Sequence, residues 1–136
     1  MYVNGRGAPK DEQQAAYWCR KAADQGFANT QHNLGFMYEN GRGVPKDEQL
    51  AVSWYRKAAD QGHAGAQNNI GSMFWFGRGV PKDEQQAYFW WLLGSGSGNA
   101  KAKRSRDLIE QQLSPAQRSA AQIAARNWKP VAGGSP

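Results

Sequence analysis

Apolar residues along this chain recur at intervals of three and four positions, which is the spacing of an α-helix rather than of a β-strand. The clearest stripe is formed by Ala51, Trp54, Tyr55, Ala58 and Ala59. Side chains at these positions share one face of a helix, and such an apolar face normally packs against a neighbouring element. The pattern therefore predicts an amphipathic helix, here termed helix B, with its stripe in the core.

A second amphipathic helix, termed helix A, is predicted between successive copies of helix B. Its apolar positions are Leu34, Met37 and Tyr38 in one copy and Ile70, Met73 and Phe74 in the next. Gly35 and Gly71 stand beside these stripes, where the missing Cβ lets a neighbouring element approach closely. The alternation of helices A and B predicts a series of helical hairpins.

A glycine-rich motif separates each helix A from the following helix B. It reads GRGAPKDEQ from Gly5 and GRGVPKDEQ from both Gly41 and Gly77, so its copies are 36 residues apart. A fixed period between about 20 and 50 residues is typical of repeat arrays. Residues 5–40 and 41–76 are identical at 22 of 36 positions, which indicates that the repeat is the unit of the fold.

The motif is interpreted as the corner of each hairpin. Glycine ends a helix in the left-handed conformation, proline prevents helix A from continuing, and Asp47 is the expected N-cap of helix B. A phosphate-binding loop is not supported, because the motif lacks the glycine and lysine spacing of a P-loop. We expect the three corners at residues 5–11, 41–47 and 77–83.

These motifs resemble the Sel1-like repeat, a relative of the tetratricopeptide repeat with longer loops. The resemblance rests on Gly35, Met37, Tyr38, Gly41, Gly43, Val44, Asp47, Ala51, Trp54, Tyr55, Lys57, Ala58, Ala59 and Gly62. It implies an all-α, right-handed α-solenoid whose helices A line the concave side. It also implies protein–protein interaction as the usual function of such an array.

The expected organisation is a set of repeats followed by a helical cap. Sel1-like repeats are expected over residues 1–98, capping helices over 99–128 and a loose tail over 129–136. Residues 1–5 align with 37–41, so the first repeat is expected to begin inside a truncated helix A.

Two local patterns refine the C-terminal part of the chain. Ser114 precedes Pro115 and stands three residues before Gln117, which is the pattern of a capping box and predicts a helix start. The third helix B ends in LLGSGSG where the earlier copies read RKAADQG. Each interior glycine costs about 1 kcal/mol relative to alanine, so this helix is expected to fray or end early. Ile123, Ala124 and Trp128 are expected to pack back on the last repeat.

The composition is that of a chain with a core and without a membrane span. Hydrophobic residues make up 40% of the sequence, and no apolar run approaches the roughly 18 residues that cross a bilayer. The start MYVNGRG lacks the pattern of a secretion signal, which leaves the bacterial cytoplasm and, for a parent chain with a signal, the periplasm open. The single cysteine, Cys19, excludes a disulfide within the chain and is interpreted as a structural thiol.

The positive charge of the chain is concentrated near its C-terminus. Residues 1–96 carry ten Lys and Arg against nine Asp and Glu, whereas residues 97–136 carry seven against two. The densest cluster consists of Lys101, Lys103, Arg104 and Arg106. Two interpretations stay open: the solvated face of a capping helix, or a secondary site for an acidic partner. Nucleic-acid recognition is not supported, because no helix-turn-helix, zinc finger or aromatic RNA platform is recognisable.

Catalytic, metal and cofactor sites are not predicted. His32 and His63 occupy positions that do not correspond between repeats, and neither belongs to an HExxH motif. The acid pairs at 11–12, 47–48 and 83–84 are explained by the preference of helix N-termini for negative charge.

The alternative function is that of a hydrolase acting on a cell-wall or β-lactam-type substrate. It comes from the resemblance, since some cysteine-rich secreted members of the Sel1-like family are linked to penicillin binding. The Ser-x-x-Lys motif and the paired cysteines of that type are absent from this sequence. The chain is therefore predicted not to be an enzyme.

A partner-binding surface is predicted on the concave side, at helix A positions off the hairpin stripe. The candidate residues are His32, Asn33, Phe36, Asn40, Asn68, Asn69, Ser72, Trp75 and Phe76. An asparagine amide both donates and accepts, which suits a peptide backbone, and an exposed aromatic ring supplies an apolar anchor. The predicted function is that of a bacterial adaptor that presents this surface to a peptide or protein.

Structural alternatives stay open for the strongest of these candidates. Asn33 and Asn69 recur in the repeat, so they are equally suited to satisfying neighbouring groups within the solenoid. For Trp75 and Phe76 the alternative is packing in the core or between repeats.

The first helix B is expected to present an open edge. Ala15, Trp18, Cys19 and Ala22 form its stripe, and the helix A that would cover them is largely missing from the chain. Terminal repeats that expose an interior face are poorly soluble without a cap. The chain is therefore expected to be a piece of a longer array or to self-associate through this face.

Overall fold

A computed structural model describes residues 8–131 of the chain. Within this range the regular structure consists of seven α-helices and one 3-10 turn. The helices are α1 (Ala8–Asp24), α2 (Ala28–Asn40), α3 (Glu48–Asp60), α4 (Ala64–Phe76), α5 (Glu84–Gly96), α6 (Ala100–Ile109) and α7 (Pro115–Asn127), and the 3-10 turn is Glu110–Gln112. None of the helices in this part of the chain combines the length and the apolar character that crossing a membrane requires.

The helix boundaries follow the capping chemistry of the repeated motif. Gly41 and Gly77 end α2 and α4 in the left-handed conformation, with φ of 67° and 68°. The carboxylates of Asp47 and Asp83 precede α3 and α5, and each accepts a hydrogen bond of 3.0 Å from a backbone N–H in the first turn. The residues predicted to stop helix A and to start helix B therefore do so in both corners.

The helices stack in sequence as a solenoid. Helices α2 and α3 form one hairpin and α4 and α5 the next, while α1 packs on α2, α3 on α4 and α5 on α6. Helix α7 lies against α5 and closes the C-terminal end. The predicted helix B stripe from Ala51 to Ala59 is buried at every member, from 0% exposure to 7% at Trp54. The all-α solenoid predicted from the sequence is confirmed.

Two helical glycines allow the hairpins to close tightly. A Cβ at Gly35 would lie 2.7 Å from the ring of Tyr55, and one at Gly71 would lie 2.6 Å from the ring of Trp91. These separations are shorter than any ordinary contact, so the aromatic ring of helix B occupies the volume of the missing side chain. The close approach predicted at both glycines is confirmed.

Each corner is supported by the preceding helix B. The backbone at Gly43 packs against the carbonyl oxygen of Glu12, and the guanidinium of Arg42 pairs with the Glu12 carboxylate at 3.0 Å. The first predicted corner, 5–11, differs because α1 already begins at Ala8, while residues 1–7 lie outside the described range. A proline in the first turn is compatible with a helix.

The third helix B does not end early, and this prediction was wrong. Helix α5 is 13 residues long, as long as α3, and it includes Gly94, Ser95 and Gly96. A Cβ at Gly94 would lie 2.9 Å from the Cβ of Ala102, so the glycine lets α6 pack closely. The Arg106 guanidinium also donates to the Ser95 hydroxyl at 2.9 Å. These tertiary contacts offset the low helix propensity of glycine.

The C-terminal helices begin as predicted but pack differently. The Ser114 and Gln117 side chains form the complete capping box at the start of α7. The contact with α5 is made by Ala121, which is buried, whereas Ile123 is 47% exposed, so its predicted packing was wrong. Helical geometry explains the difference, because Ile123 lies two residues from Ala121 and so faces away from α5.

The start of the predicted loose tail is held against the C-terminal end of α3. The Val131 N–H donates to the Asp60 carbonyl at the end of α3, at 2.7 Å. Pro130 lies beside Gly62. The expectation of a loose tail is therefore wrong for these residues, and residues 132–136 lie outside the described range.

Candidate functional site

Helices α2, α4 and α6 together line one open recess of about 510 Å³. Helices α2 and α4 supply most of its wall, and α6 completes it as the helix A of a fourth unit. The lining residues are His32, Phe36, Gly65, Asn68, Asn69, Asn99, Ala100 and Lys101, and we term this set the A-face recess. Four of the nine predicted partner-binding residues therefore meet there, together with one residue of the predicted basic cluster.

One lining residue of this recess, His32, stacks on a second histidine, His63. The rings of His32 and His63 stack with their centroids 4.7 Å apart. The His63 Nδ1 accepts from the N–H of Ala66 at 3.0 Å and so caps α4, while its Nε2 donates to the Asn29 side-chain oxygen at 2.8 Å. The Asn69 amide donates to the Nε2 of His32 at 3.0 Å. Both imidazoles are thus used as neutral rings, each with one nitrogen acting as an acceptor.

The surroundings of both rings disfavour protonation. Burial lowers the pKa of His32, and the neighbouring His63 lowers it further because two imidazolium charges would repel each other. Burial also lowers the pKa of His63. Asn69 therefore has a structural role within the solenoid, because its side-chain amide bonds α4 to His32 of α2.

The three aromatic candidates differ in exposure and position, and of these only Phe36 lines the A-face recess. Phe36 and Phe76 are 47% and 67% exposed. Trp75 is half-buried, with its ring centroid 6.0 Å from that of Trp91 and the Lys82 ammonium 4.8 Å above it.

Hydrogen bonds within one helix engage two further candidates. The Asn40 amide donates to the Phe36 carbonyl at 2.9 Å, and the Ser72 hydroxyl donates to the Asn68 carbonyl at 3.3 Å. Asn33, the counterpart of Asn69, lies outside the A-face recess.

The basic cluster divides into separate parts. Lys101 faces the A-face recess, and Arg104 is exposed elsewhere on α6. Lys103 and Arg106 pair with Asp107 at 3.5 Å and 2.8 Å. The hydrogen bond and charge of Arg106, with the charge of Lys103, lower the pKa of Asp107. The four cations therefore do not present a single positive surface.

A second depression lies between α1 and α2 and has a volume of about 610 Å³. Its lining residues are Glu12, Ala15, Trp18, Cys19, Ala22, Thr30, Asn33, Phe36, Met37 and Arg42, and we term it the N-terminal groove. It contains all four residues of the predicted open edge. The Cys19 thiol donates to the Thr30 carbonyl at 3.2 Å, and burial raises the pKa of this thiol.

Sequence reasoning missed His63, Asn99 and two buried glutamines. Gln31 and Gln67 donate to the carbonyls of Ala23 and Ala59, each at 3.1 Å, and so clamp each helix A to the end of the preceding helix B. Gln31 and Gln67 are 36 residues apart, so their recurrence in the repeat could have predicted a shared structural role. His63 gave no such signal, because the equivalent position holds phenylalanine in one unit and Asn99 in another.

No group of three or more His, Cys, Asp or Glu residues arranged to hold a metal ion is present within residues 8–131.

The fold and its recess define a class of protein, the α-solenoid built from stacked helical hairpins. The Sel1 repeat matches this chain three times, over residues 1–27, 28–63 and 64–99. The chain belongs to the Sel1 repeat family, and each complete match begins with a helix A and ends after the following helix B.

Two solved structures show what the chain is similar to. One is a protective antigen of uropathogenic Escherichia coli that displays an SLR fold, at 35% identity and a TM-score of 0.86 over 89% of this chain and 26% of that chain. The other is a Sel1 repeat protein from Oxalobacter formigenes, at 30% identity and a TM-score of 0.69 over 92% of this chain and 60% of that chain. The chain thus spans about a quarter of the first and three fifths of the second. No curated protein matches the chain closely enough to be reported.

Proposed function

We propose that the A-face recess binds a peptide segment of a partner protein. Sel1 repeats are generally protein-interaction modules, which supports this class of function for the chain. The observation that carries the proposal is the convergence of an exposed aromatic ring, the Asn68 amide and a lysine in one recess of about 510 Å³.

The chemistry of the recess favours an acidic peptide with an apolar anchor. Phe36 is 47% exposed, and an apolar residue of the peptide would pack against it. Lys101 is exposed in the lining and would attract a carboxylate. The Asn68 side chain is engaged only by a 3.4 Å contact with Asn69, so its amide can bind a peptide backbone.

Five candidates lie outside this recess and are assigned secondary parts in the proposal. They are Asn33, Asn40, Ser72, Trp75 and Phe76. Phe76 is 67% exposed at the C-terminal end of α4, so it would extend the apolar contact of a longer peptide. Nothing favours the hydrolase alternative: in residues 8–131 no serine or cysteine side chain hydrogen-bonds to His32 or His63.

The test begins with peptides selected from a random displayed library on the immobilised chain. A selected peptide is then titrated against Lys101→Glu and against the matched control Arg104→Glu, since both residues are exposed cations of α6. We expect Lys101→Glu to weaken binding about tenfold or more, because an attraction becomes a repulsion, while Arg104→Glu stays within about twofold of wild type.

A second pair of variants tests the apolar anchor. Phe36→Ala is expected to weaken binding about tenfold, whereas Phe27→Ala, which removes an equally exposed ring outside the recess, should not. Thermal unfolding of all four variants controls for folding. If the selected peptides bind both members of each pair equally, the recess is not the site.

A further inference from the structure

One titratable ring, that of His32, is accessible from the A-face recess because a glycine lies beside it. A Cβ at Gly65 would lie 3.5 Å from the His32 Nε2 and 3.2 Å from the ring of His63. The equivalent positions in the neighbouring units hold Asn29 and Lys101, so these units carry a long side chain there. A ligand atom can therefore occupy the space of the missing side chain and approach the His32 ring.

Two asparagines connect the His32 ring to the rest of the recess. The Asn69 side-chain nitrogen donates to the His32 Nε2 at 3.0 Å, and the Asn69 side-chain oxygen accepts from the Asn68 side-chain nitrogen at 3.4 Å. The neutral ring is an acceptor at this atom, so it fixes the direction of both bonds. Asn68 is left with its side-chain oxygen as an acceptor for a ligand.

Protonation of His32 reverses the direction of these bonds. The protonated Nε2 carries a hydrogen, so this atom and the Asn69 nitrogen would be two donors facing each other. Rotation of the Asn69 amide brings its oxygen to the imidazolium and its nitrogen to Asn68, whose oxygen then accepts. The side-chain nitrogen of Asn68 is thereby released as a donor. A proton on one ring thus changes what a second residue offers to a ligand.

The groups around His32 favour the neutral ring in the empty recess. The titratable and charged residues that surround it are His63, Tyr55 and Lys101, with the Glu39–Arg78 ion pair behind Tyr55. The Tyr55 hydroxyl, which Asn69 also contacts, donates to Glu39 at 2.6 Å and keeps that acceptor when the amide rotates. Burial and then the stacked His63 lower the pKa of His32, and Lys101 adds a positive charge to the same recess. A carboxylate from a ligand would reverse this balance.

We propose that protonation of His32 tightens the hold of the A-face recess on a carboxylate of the bound peptide, so that the recess is a proton-coupled binding site. This inference rests on the proposed function and names how that site is regulated. The protonated recess presents the imidazolium, the Lys101 ammonium and the released Asn68 nitrogen, all of which donate to a carboxylate. The carboxylate stabilises the imidazolium in return, so binding takes up a proton from the solvent.

The first test follows the chain without a ligand. Side-chain NMR records the His32 ring and the NH2 groups of Asn68 and Asn69 while the pH is lowered from 7.5 to 5.0. We expect both NH2 groups to shift with the midpoint of the His32 titration, because the bonds reverse together. In His32→Gln, whose side-chain oxygen accepts from Asn69 but does not titrate, both groups should stay constant.

The second test measures peptide affinity at pH 7.5 and pH 5.5. Peptides are selected from the displayed library on the immobilised chain at both values, and an acidic selected peptide is compared with a copy that carries Asn and Gln in place of Asp and Glu. We expect the acidic peptide to bind about fivefold more tightly at pH 5.5, because an imidazolium then faces its carboxylate. The amide copy should bind equally at both values.

His63→Asn is the matched control, since it retains a capping side chain and removes the stacked ring. Because His63 lowers the pKa of His32, this variant should keep the pH dependence of binding with its midpoint at higher pH. His32→Gln should lose the pH dependence. Calorimetric titration in two buffers of different ionisation heat counts the protons taken up, and urea unfolding at both pH values controls for folding.

Two outcomes separate this inference from the function on which it rests. A selected peptide that requires Lys101 but binds equally at both pH values, with no proton uptake, would overturn the inference and leave the proposed function standing. Failure to select any peptide at either pH would overturn both. The inference also fails if Asn68 and Asn69 do not titrate with His32, or if the amide copy shows the same pH dependence as the acidic peptide.

Discussion

Helices α1 and α3 carry nearly the same sequence and have opposite environments. Trp54 of α3 is 7% exposed between the helices of its hairpin, whereas Trp18 of α1 is 66% exposed. Tyr55 is fully buried, while its counterpart Cys19 is only partly covered. The comparison teaches that the apolar stripe makes each helix B amphipathic, but that burial of the stripe requires the helix A that packs on it, as α2 packs on α3.

The same comparison shows what covering the stripe contributes. In a repeat array each unit contacts only its neighbours, so stability is a sum of unit and interface contributions. The interface over α3 is made within the chain by α2 and contributes to folding. The equivalent surface of α1 has no covering helix among residues 8–131.

The largest expected effect separates the two tryptophans. Trp54→Ala is expected to lower the free energy of unfolding by about 3–5 kcal/mol, because it leaves a cavity in a packed core. Trp18→Ala, the matched change on the open face, is expected to cost less than about 1 kcal/mol. Urea unfolding monitored by circular dichroism measures both, and equal losses would contradict the assignment of one face as covered and the other as open.

A smaller effect is expected where α2 meets α3. Gly35→Ala would gain about 1 kcal/mol of helix propensity, but its Cβ would lie 2.7 Å from the Tyr55 ring, so we expect a net loss of about 1–2 kcal/mol. The same change in a Tyr55→Cys background, which imitates the open face, is expected to be neutral or stabilising. A double-mutant cycle from thermal or urea unfolding measures this coupling.

Gly96→Ala is the control for this cycle, since a Cβ there would meet no atom within 4 Å. It should stay within about 0.5 kcal/mol of wild type. If Gly35→Ala lowers the free energy of unfolding by the same amount in the Tyr55→Cys background, the Tyr55 ring is not the cause of the loss.

The smallest expected effect is the pH dependence of the contact between α2 and α4. The folded-state pKa values of His32 and His63 lie below the ordinary value of 6.5, so folding favours their neutral forms. The stability they contribute is therefore fully present above about pH 6.5 and is lost as pH falls below that value, through the folded pKa values. Melting temperatures measured from pH 7.5 to 5.5 should decline accordingly.

His63→Asn provides the matched control for the pH dependence. Asn99 caps α6 at the equivalent position, with its side chain accepting from Ala102 at 2.9 Å, so asparagine should retain the cap without titrating. This variant is expected to show a shallower decline with pH. The same slope in both proteins would mean that other groups cause the decline.

The repeated sequence alone predicted most of the fold. The period of 36 residues located the hairpins, and the capping residues Gly41 and Asp47 located their corners. Gly35 also gave a correct prediction of close packing. These features are local or recur at a fixed spacing, so the sequence displays them directly.

The tertiary structure decided what depends on neighbours distant in the sequence. Helix α5 continues through Gly94 because Ala102 and Arg106 of α6 pack against it, although its propensity predicts an earlier end. His32 stacks on His63 because consecutive helices A lie side by side, which places non-equivalent positions of two repeats in contact.

The candidate sites show the same division. The apolar stripe of α1 and the chemistry of Asn33, Asn69 and Phe36 were visible in the sequence. Which asparagine is engaged and which lies in the open groove depends on whether a helix covers that repeat, and here Asn69 is bound to His32 while Asn33 lines the groove. Sequence determines the amphipathic helix because periodicity is local, whereas burial requires the partner surface, which only the assembled array supplies.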